Sequence, residues 1–235
     1  MKQAAKRLLL PRPGPRRLRF GIGRGIRMQI DFQHQTRTYC GLYETELNRH
    51  LRRLLRPGMT ALDVGAAVGY DSLVIARHTL APVVAFERSG ETVEAMVRNV
   101  ALNPGLADLI RVEQASVGTG PGEVGLDDWC ESEGFVPGFI KLDIEGAEVD
   151  ALRSATKTLS THHPHMVVEV HSQPLERACG DLLIGLGYRP LVLAQRRVAP
   201  DRRAVSHNRW LVAESPSELD ARRERSAEPL PAGVD

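Results

Sequence analysis

The stretch Thr60-Ala61-Leu62-Asp63-Val64-Gly65-Ala66-Ala67-Val68-Gly69-Tyr70 decides the fold. Its first five residues are a short apolar run, and Gly65 closes that run with a small-residue turn. From Tyr70 to about Ala81 the spacing predicts a helix, and Val83 to Phe86 (VVAF) is the next apolar run. The unit is strand, glycine loop, helix, strand. A second helix from Thr92 to Leu102 stops at Asn103-Pro104-Gly105, and Ile110 to Gln114 follows as a third strand. Further strands are predicted at Phe139–Leu142 and Met166–Val170, with a helix through Ala147–Leu159 between them. Alternation of this kind implies a parallel sheet covered on both faces. After a helix around Leu175–Leu186, strands at Arg189–Ala194 and Arg209–Ala213 are joined by a polar stretch without a helix, so they pair antiparallel and one strand is reversed.

Upstream, residues 28–34 (MQIDFQH) read as a strand, and Glu44–Arg56 places Leu47, Leu51, Leu54 and Leu55 at helical spacing before Pro57-Gly58. Residues 28–56 are thus expected to form a strand and a helix that could act as a lid, and residues 57–213 the main domain. Residues 1–27 carry nine Lys and Arg, no acid, and several prolines and glycines, which predicts a solvated tail; a transit peptide or a phosphate-binding arm fits the same composition. Residues 214–235 lack apolar periodicity and read as a second disordered tail.

Composition narrows the function. The chain has 235 residues with a formal net charge of +2, too even a balance to argue by itself for nucleic acid or an anionic membrane. Its apolar runs fall far short of the roughly 18 residues of a membrane span. Cys40, Cys130 and Cys179 have neither metal spacing nor the density of a disulfide scaffold, and suggest a reducing, cytoplasmic setting.

In such a sheet, ligands sit outside the carboxyl ends of the strands where strand order reverses. Four strand ends carry polar signals. In the first, Asp63-Val64-Gly65-Ala66-Ala67-Val68-Gly69, small residues let backbone approach a ligand, or simply make a tight turn. The second ends at Glu87, 22 residues beyond Gly65, where an acid can accept hydrogen bonds from ribose hydroxyls or sit as a plain surface carboxylate. A dinucleotide fingerprint requires glycine where this chain has Ala67 and Tyr70, and no P-loop sequence occurs. Asp63 also lies where a pyrophosphate would be repelled, which favours a cationic ligand such as a sulfonium.

The run from Ala61 to Tyr70, Ala85-Phe86-Glu87, Asn99, Leu126-Asp127-Asp128, Ile140-Lys141-Leu142-Asp143-Ile144-Glu145-Gly146-Ala147-Glu148 and Val168-Glu169-Val170-His171 together resemble the FkbM family of S-adenosylmethionine-dependent methyltransferases. The resemblance runs from about Gly41 to Trp210, and the Lys141–Glu148 segment is its specific part. It implies a Rossmann-like class I methyltransferase fold, with a seven-stranded sheet, one antiparallel strand and helices on both faces. It also implies S-adenosylmethionine as cofactor, bound by Asp63, Gly65, Ala66, Gly69 and Glu87, with Ser116 at the adenine, and O-methylation of a small molecule or sugar. Ala67 stands where the family usually has Asn, and Arg88 where it has Pro; a non-catalytic S-adenosylmethionine-binding protein on the same fold is the alternative those departures raise.

Methyl transfer to a hydroxyl needs close positioning and removal of a proton. Asp143 at the end of the fourth strand and Glu169 and His171 at the end of the fifth are the candidate base and orienting groups, and the same three suit a divalent cation. Lys141, on the same strand face as Asp143, either orients that carboxylate or meets substrate. Glu145 and Glu148 read as helix-dipole acids, and Asp127 and Asp128 as an N-cap. His162, His163 and His165 lie on a loop without metal spacing and read mostly as solvated. Arg196, Arg197, Arg202 and Arg203 could meet an acidic partner, but the scarcity of aromatic residues there argues against nucleic acid.

Overall fold

The computed structural model describes residues 11–194 and 207–219. A two-stranded antiparallel hairpin, β1 (Gly14–Arg17) and β2 (Arg27–Ile30), precedes the main sheet. The sheet contains β3 (Ala61–Val64), β4 (Val83–Glu87), β5 (Ile110–Gln114), β6 (Phe139–Leu142), β7 (His165–Val170), β8 (Leu191–Ala194) and β9 (Arg209–Ala213). Their order is β5-β4-β3-β6-β7-β9-β8, all parallel except β9, which runs antiparallel to both neighbours. The expected class I methyltransferase topology with one reversed strand is therefore present.

Alternation along the strands splits the core in two. Ala61, Val83, Phe139, Val167 and Trp210 face a cluster built with α2 (Asn48–Leu54), α3 (Tyr70–Thr79) and α4 (Gly90–Ala101). Leu62, Val84, Ile140, Val168 and Leu211 face the other, packed against α6 (Leu126–Glu133), α7 (Glu148–Arg153), α8 (Thr156–His162) and α9 (Gln173–Gly185). Two short helices, α1 (Thr36–Tyr39) and α5 (Pro104–Ala107), pack at the edge of the first cluster through Tyr39, Leu106 and Ala107. Among the described residues no helix is long and apolar enough to cross a membrane.

Several local expectations are corrected. Residues 11–27 are not a solvated tail: β1 pairs with β2, and Leu18, Ile22 and Ile26 are buried. The outer edge of β2 is satisfied by two side-chain amides of α4 and its C-terminal turn, since the Gln29 N–H donates to Asn99 Oδ1 and the Arg27 N–H to Asn103 Oδ1. Composition hid this because the arginines dominate while three spaced aliphatics do the packing. At the other end Glu214 and Ser215 are buried and residues 216–219 form a helical turn, whereas 220–235, 195–206 and 1–10 lie outside the described residues. The Arg196–Arg203 cluster falls in that second span.

The helix expected over 44–56 is confined to Asn48–Leu54, because Glu44 adopts a left-handed backbone (φ 45°) that a helix cannot continue through. The helix expected over 147–159 is two. At the break, the Ser154 carbonyl accepts from the Asp127 N–H, and the Asp127 carboxylate accepts from the N–H groups of Lys157 and Thr158. Asp127 therefore caps α8 and not its own helix, whose N-cap Gly125 has no side-chain bond.

Candidate active site

Strand order reverses between β3 and β6, and their loops meet there. The Asp143 N–H donates to the Val64 carbonyl, and a Cβ on Gly65 (φ 81°) would lie 1.9 Å from the Asp143 carbonyl oxygen. Gly65 is thus demanded by contact between the two loops as well as by its backbone angle. Gly69 (φ 83°) packs against Met96, whose Cγ would be 2.7 Å from a Cβ. On the other side the N–H groups of Gly65 and Ala66 donate to the Phe86 carbonyl, and the exposed Ala67 donates to Glu87 Oε2. Glu87 Oε1 accepts from the Ser89 N–H, so each oxygen holds one protein bond and retains a free lone pair. Asn99 ties the turn down from behind, donating to the Val68 carbonyl. Ser116 lies half-buried beyond β5, the neighbour of β4, and Arg88 is exposed.

Beneath the turn is a buried ionic network on one sheet face. Asp63 and Lys141 are register neighbours across β3 and β6, and both are buried. The Lys141 ammonium lies 3.2 Å from Asp143 Oδ2 and 3.2 Å from Asp71 Oδ2, and 5.6 Å from the ring centre of Trp210. Burial opposes its charge, but Asp143, Asp71, Glu44 and Asp63 outweigh that and hold its pKa above the ordinary lysine value. Lys141 is therefore an orienting cation within the protein, with 2% of its surface accessible. Asp63 faces inward: Oδ2 accepts from the Ser72 hydroxyl, and burial pushes its pKa up to about 6 against the pull of Lys141.

Asp143, Glu169 and His171 converge as expected, each offering an atom within 4.8 Å of the others. Burial first, then the Asp143 charge, pushes the Glu169 carboxyl up to about 8, while Lys141 outweighs burial at Asp143 and holds it below the usual carboxylate range. The pair shares a hydrogen bond, which at neutral pH needs the proton that Glu169 retains. A divalent cation placed among these three groups would replace that proton, so the donor set fits such an ion.

Glu148 is the functional candidate that sequence reasoning assigned elsewhere. It is fully buried, and its Oε1 stands 2.6 Å from His171 Nδ1 and accepts from the Gly146 N–H. The bond to Glu148 raises the His171 pKa against burial and turns Nε2 toward Asp143 Oδ1, 3.7 Å away. Only the spacing to His171 across two helices and a strand could have signalled this, and spacing of that length is not readable from a single chain. Glu145, by contrast, is exposed. Glu44 and Tyr43 also reach the site: burial raises both pKa values, and Asp71 raises them further. Of the loop histidines, His165 is buried at the start of β7, its Nδ1 accepting from the Ser215 N–H.

Residues 121–211 match the Methyltransferase FkbM domain. No curated protein matches the chain. Among solved structures, the methyltransferase FkbM of Methylobacillus flagellatus KT superposes with a TM-score of 0.52 at 19% identity, over 77% of this chain and 55% of that one. This chain thus spans about half the length of that protein. An S-adenosylmethionine-dependent O-methyltransferase of Thermotoga maritima gives 0.53 at 16% identity over 73% and 65% of the two chains. Fibrillarin of Aeropyrum pernix, solved with natively bound S-adenosyl-L-methionine, gives 0.50 at 12% identity over 68% of each. At these identities the superpositions speak for the fold alone. Sheet order and loop contacts give the chain a Rossmann-like class I methyltransferase fold, within which residues 121–211 are similar to the FkbM domain.

Proposed function

We propose that the chain is an S-adenosylmethionine-dependent O-methyltransferase acting on a hydroxyl of a small molecule or sugar in the cytoplasm. The observation that carries this is the convergence of Asp143, Glu169 and His171 beside the turn that joins β3, β4 and β6. The methyl donor supplies a carbon already activated by its sulfonium. Glu87, with a free lone pair on each oxygen, holds the ribose hydroxyls, and Gly65, Ala66 and Gly69 shape the turn beneath them. Ser116 lies on the adenine side. Asp63 contributes buried negative charge below the sulfonium while bonded to Ser72.

His171 takes the hydroxyl proton at Nε2. Glu148 keeps the other nitrogen protonated and the ring aligned, the role a buried carboxylate plays beside a general base. Asp143, oriented by Lys141, and Glu169 accept hydrogen bonds from the acceptor. A divalent cation, if bound, would be held by Asp143, Glu169 and His171 Nε2 and would lower the pKa of the hydroxyl in place of proton removal by His171. The unpaired cysteines Cys40, Cys130 and Cys179 agree with a reducing compartment.

The test is transfer of a labelled methyl group from the donor to a panel of sugar and polyketide hydroxyl compounds, with and without magnesium, read by mass spectrometry. Labelled product that Asp143→Asn and His171→Ala abolish, with donor affinity kept, supports the reading. Donor binding with no transfer to any acceptor favours the non-catalytic alternative.

A further inference from the structure

The arginines of the N-terminal segment are absorbed neither by the hairpin core nor by the active site. They gather instead along the outer side of α3. One cleft of about 560 Å³ is lined by Arg17, Arg19, Arg24, Arg77 and His78, and an adjoining one of about 390 Å³ by Arg17, Arg27 and Arg77. No Asp or Glu lines either cleft, and no described residue forms a salt bridge with these five arginines. The heads are brought together by Gly25. A Cβ there would lie 2.9 Å from Arg77 Nη1 and 3.5 Å from Arg17 Nη2, so both guanidinium groups crowd one point above a glycine that adopts φ 95°. Arg77 is fixed there by a hydrogen bond to the Arg24 carbonyl. Like charges held this close repel unless an anion lies between them.

We propose that these joined clefts bind a compact di- or triphosphate group of a small molecule. The guanidinium groups of Arg17 and Arg77 crowd one point, and with Arg19, Arg24 and Arg27 lining the same clefts they match three or four negative charges better than the two of a single phosphate, while their forked donors suit phosphate oxygens. The combined space accommodates a small phosphorylated compound. No Phe, Tyr or Trp lines either cleft, so the stacking platform that single-stranded nucleic acid uses is missing. The site stands independently of methyl transfer.

Isothermal titration of the full chain with inorganic pyrophosphate, at low and at physiological salt, tests it. Saturable one-to-one binding is expected, weakened about tenfold or more by Arg17→Gln and by Arg77→Gln. Because Arg77 also braces the loop, Arg17→Gln serves as the variant that leaves that bond in place, and an unchanged urea unfolding midpoint confirms an intact fold. Absence of binding at millimolar pyrophosphate overturns the proposal, as does binding that neither variant affects. An oligoribonucleotide that binds more tightly than pyrophosphate, with affinity rising with its length, also overturns it in favour of a nucleic-acid surface.

Discussion

Replacing Ala67 should stabilise the protein. Ala67 adopts φ 46° at the tip of the glycine turn, a left-handed conformation that costs an L-residue with a Cβ about 1–2 kcal/mol. Its side chain is exposed, and its only hydrogen bond to Glu87 is made by the backbone N–H, which any non-proline residue retains. Ala67→Gly removes the strain but adds chain entropy to the unfolded state worth about 0.4–1 kcal/mol, leaving a net gain of about 0.5–1 kcal/mol. Ala67→Asn tolerates the same angle without that entropy and should gain about 1 kcal/mol. Urea unfolding followed by circular dichroism would show higher midpoints at constant slope, and a melting temperature raised by about 2–4 °C per kcal/mol for a chain of this size. If both variants unfold at or below the wild-type midpoint, the turn is not strained at this position and the reasoning fails.

Lys141→Met should destabilise the fold by about 3–5 kcal/mol, because it strips the cation from the buried Asp71 and Asp63 and the half-buried Asp143; adding Asp71→Asn should recover part of the loss in the same unfolding assay. His165 is held below the ordinary imidazole pKa by burial, so its contribution is complete above about pH 6.5 and is lost as pH falls below that through its lower folded value. The gap in stability between wild type and His165→Gln, measured by urea titration at pH 7.5 and 5.5, should accordingly narrow on acidification. Glu148→Gln should lower kcat about tenfold with KM kept, and should move the acid limb of the rate profile to lower pH, since the carboxylate is what raises the His171 pKa.

Much of the sheet is readable in the sequence because strands such as Phe139–Leu142 and His165–Val170 are buried on both faces and appear as short, mostly apolar runs. The convergence of Asp143, Glu169 and His171 follows from their places at neighbouring strand ends. Other features depend on contacts that no local pattern encodes. Leu18, Ile22 and Ile26 are buried in a cluster with distant residues such as Tyr70 and Met96, while Asn99 and Asn103 hold the hairpin backbone. Glu148 looks like a helix-dipole acid until His171, 23 residues later, arrives beside it. Asp127 sits at one helix start yet caps another, because the break at Ser154 brings α8 to it.

The most direct measurement is calorimetric titration of the purified chain with S-adenosylmethionine. Saturable one-to-one binding is expected, with competition by the demethylated product and loss of binding in Glu87→Ala while its unfolding midpoint stays unchanged. The absence of heat and of competition, or full affinity in Glu87→Ala, would contradict a methyl-donor site at the ends of β3 and β4.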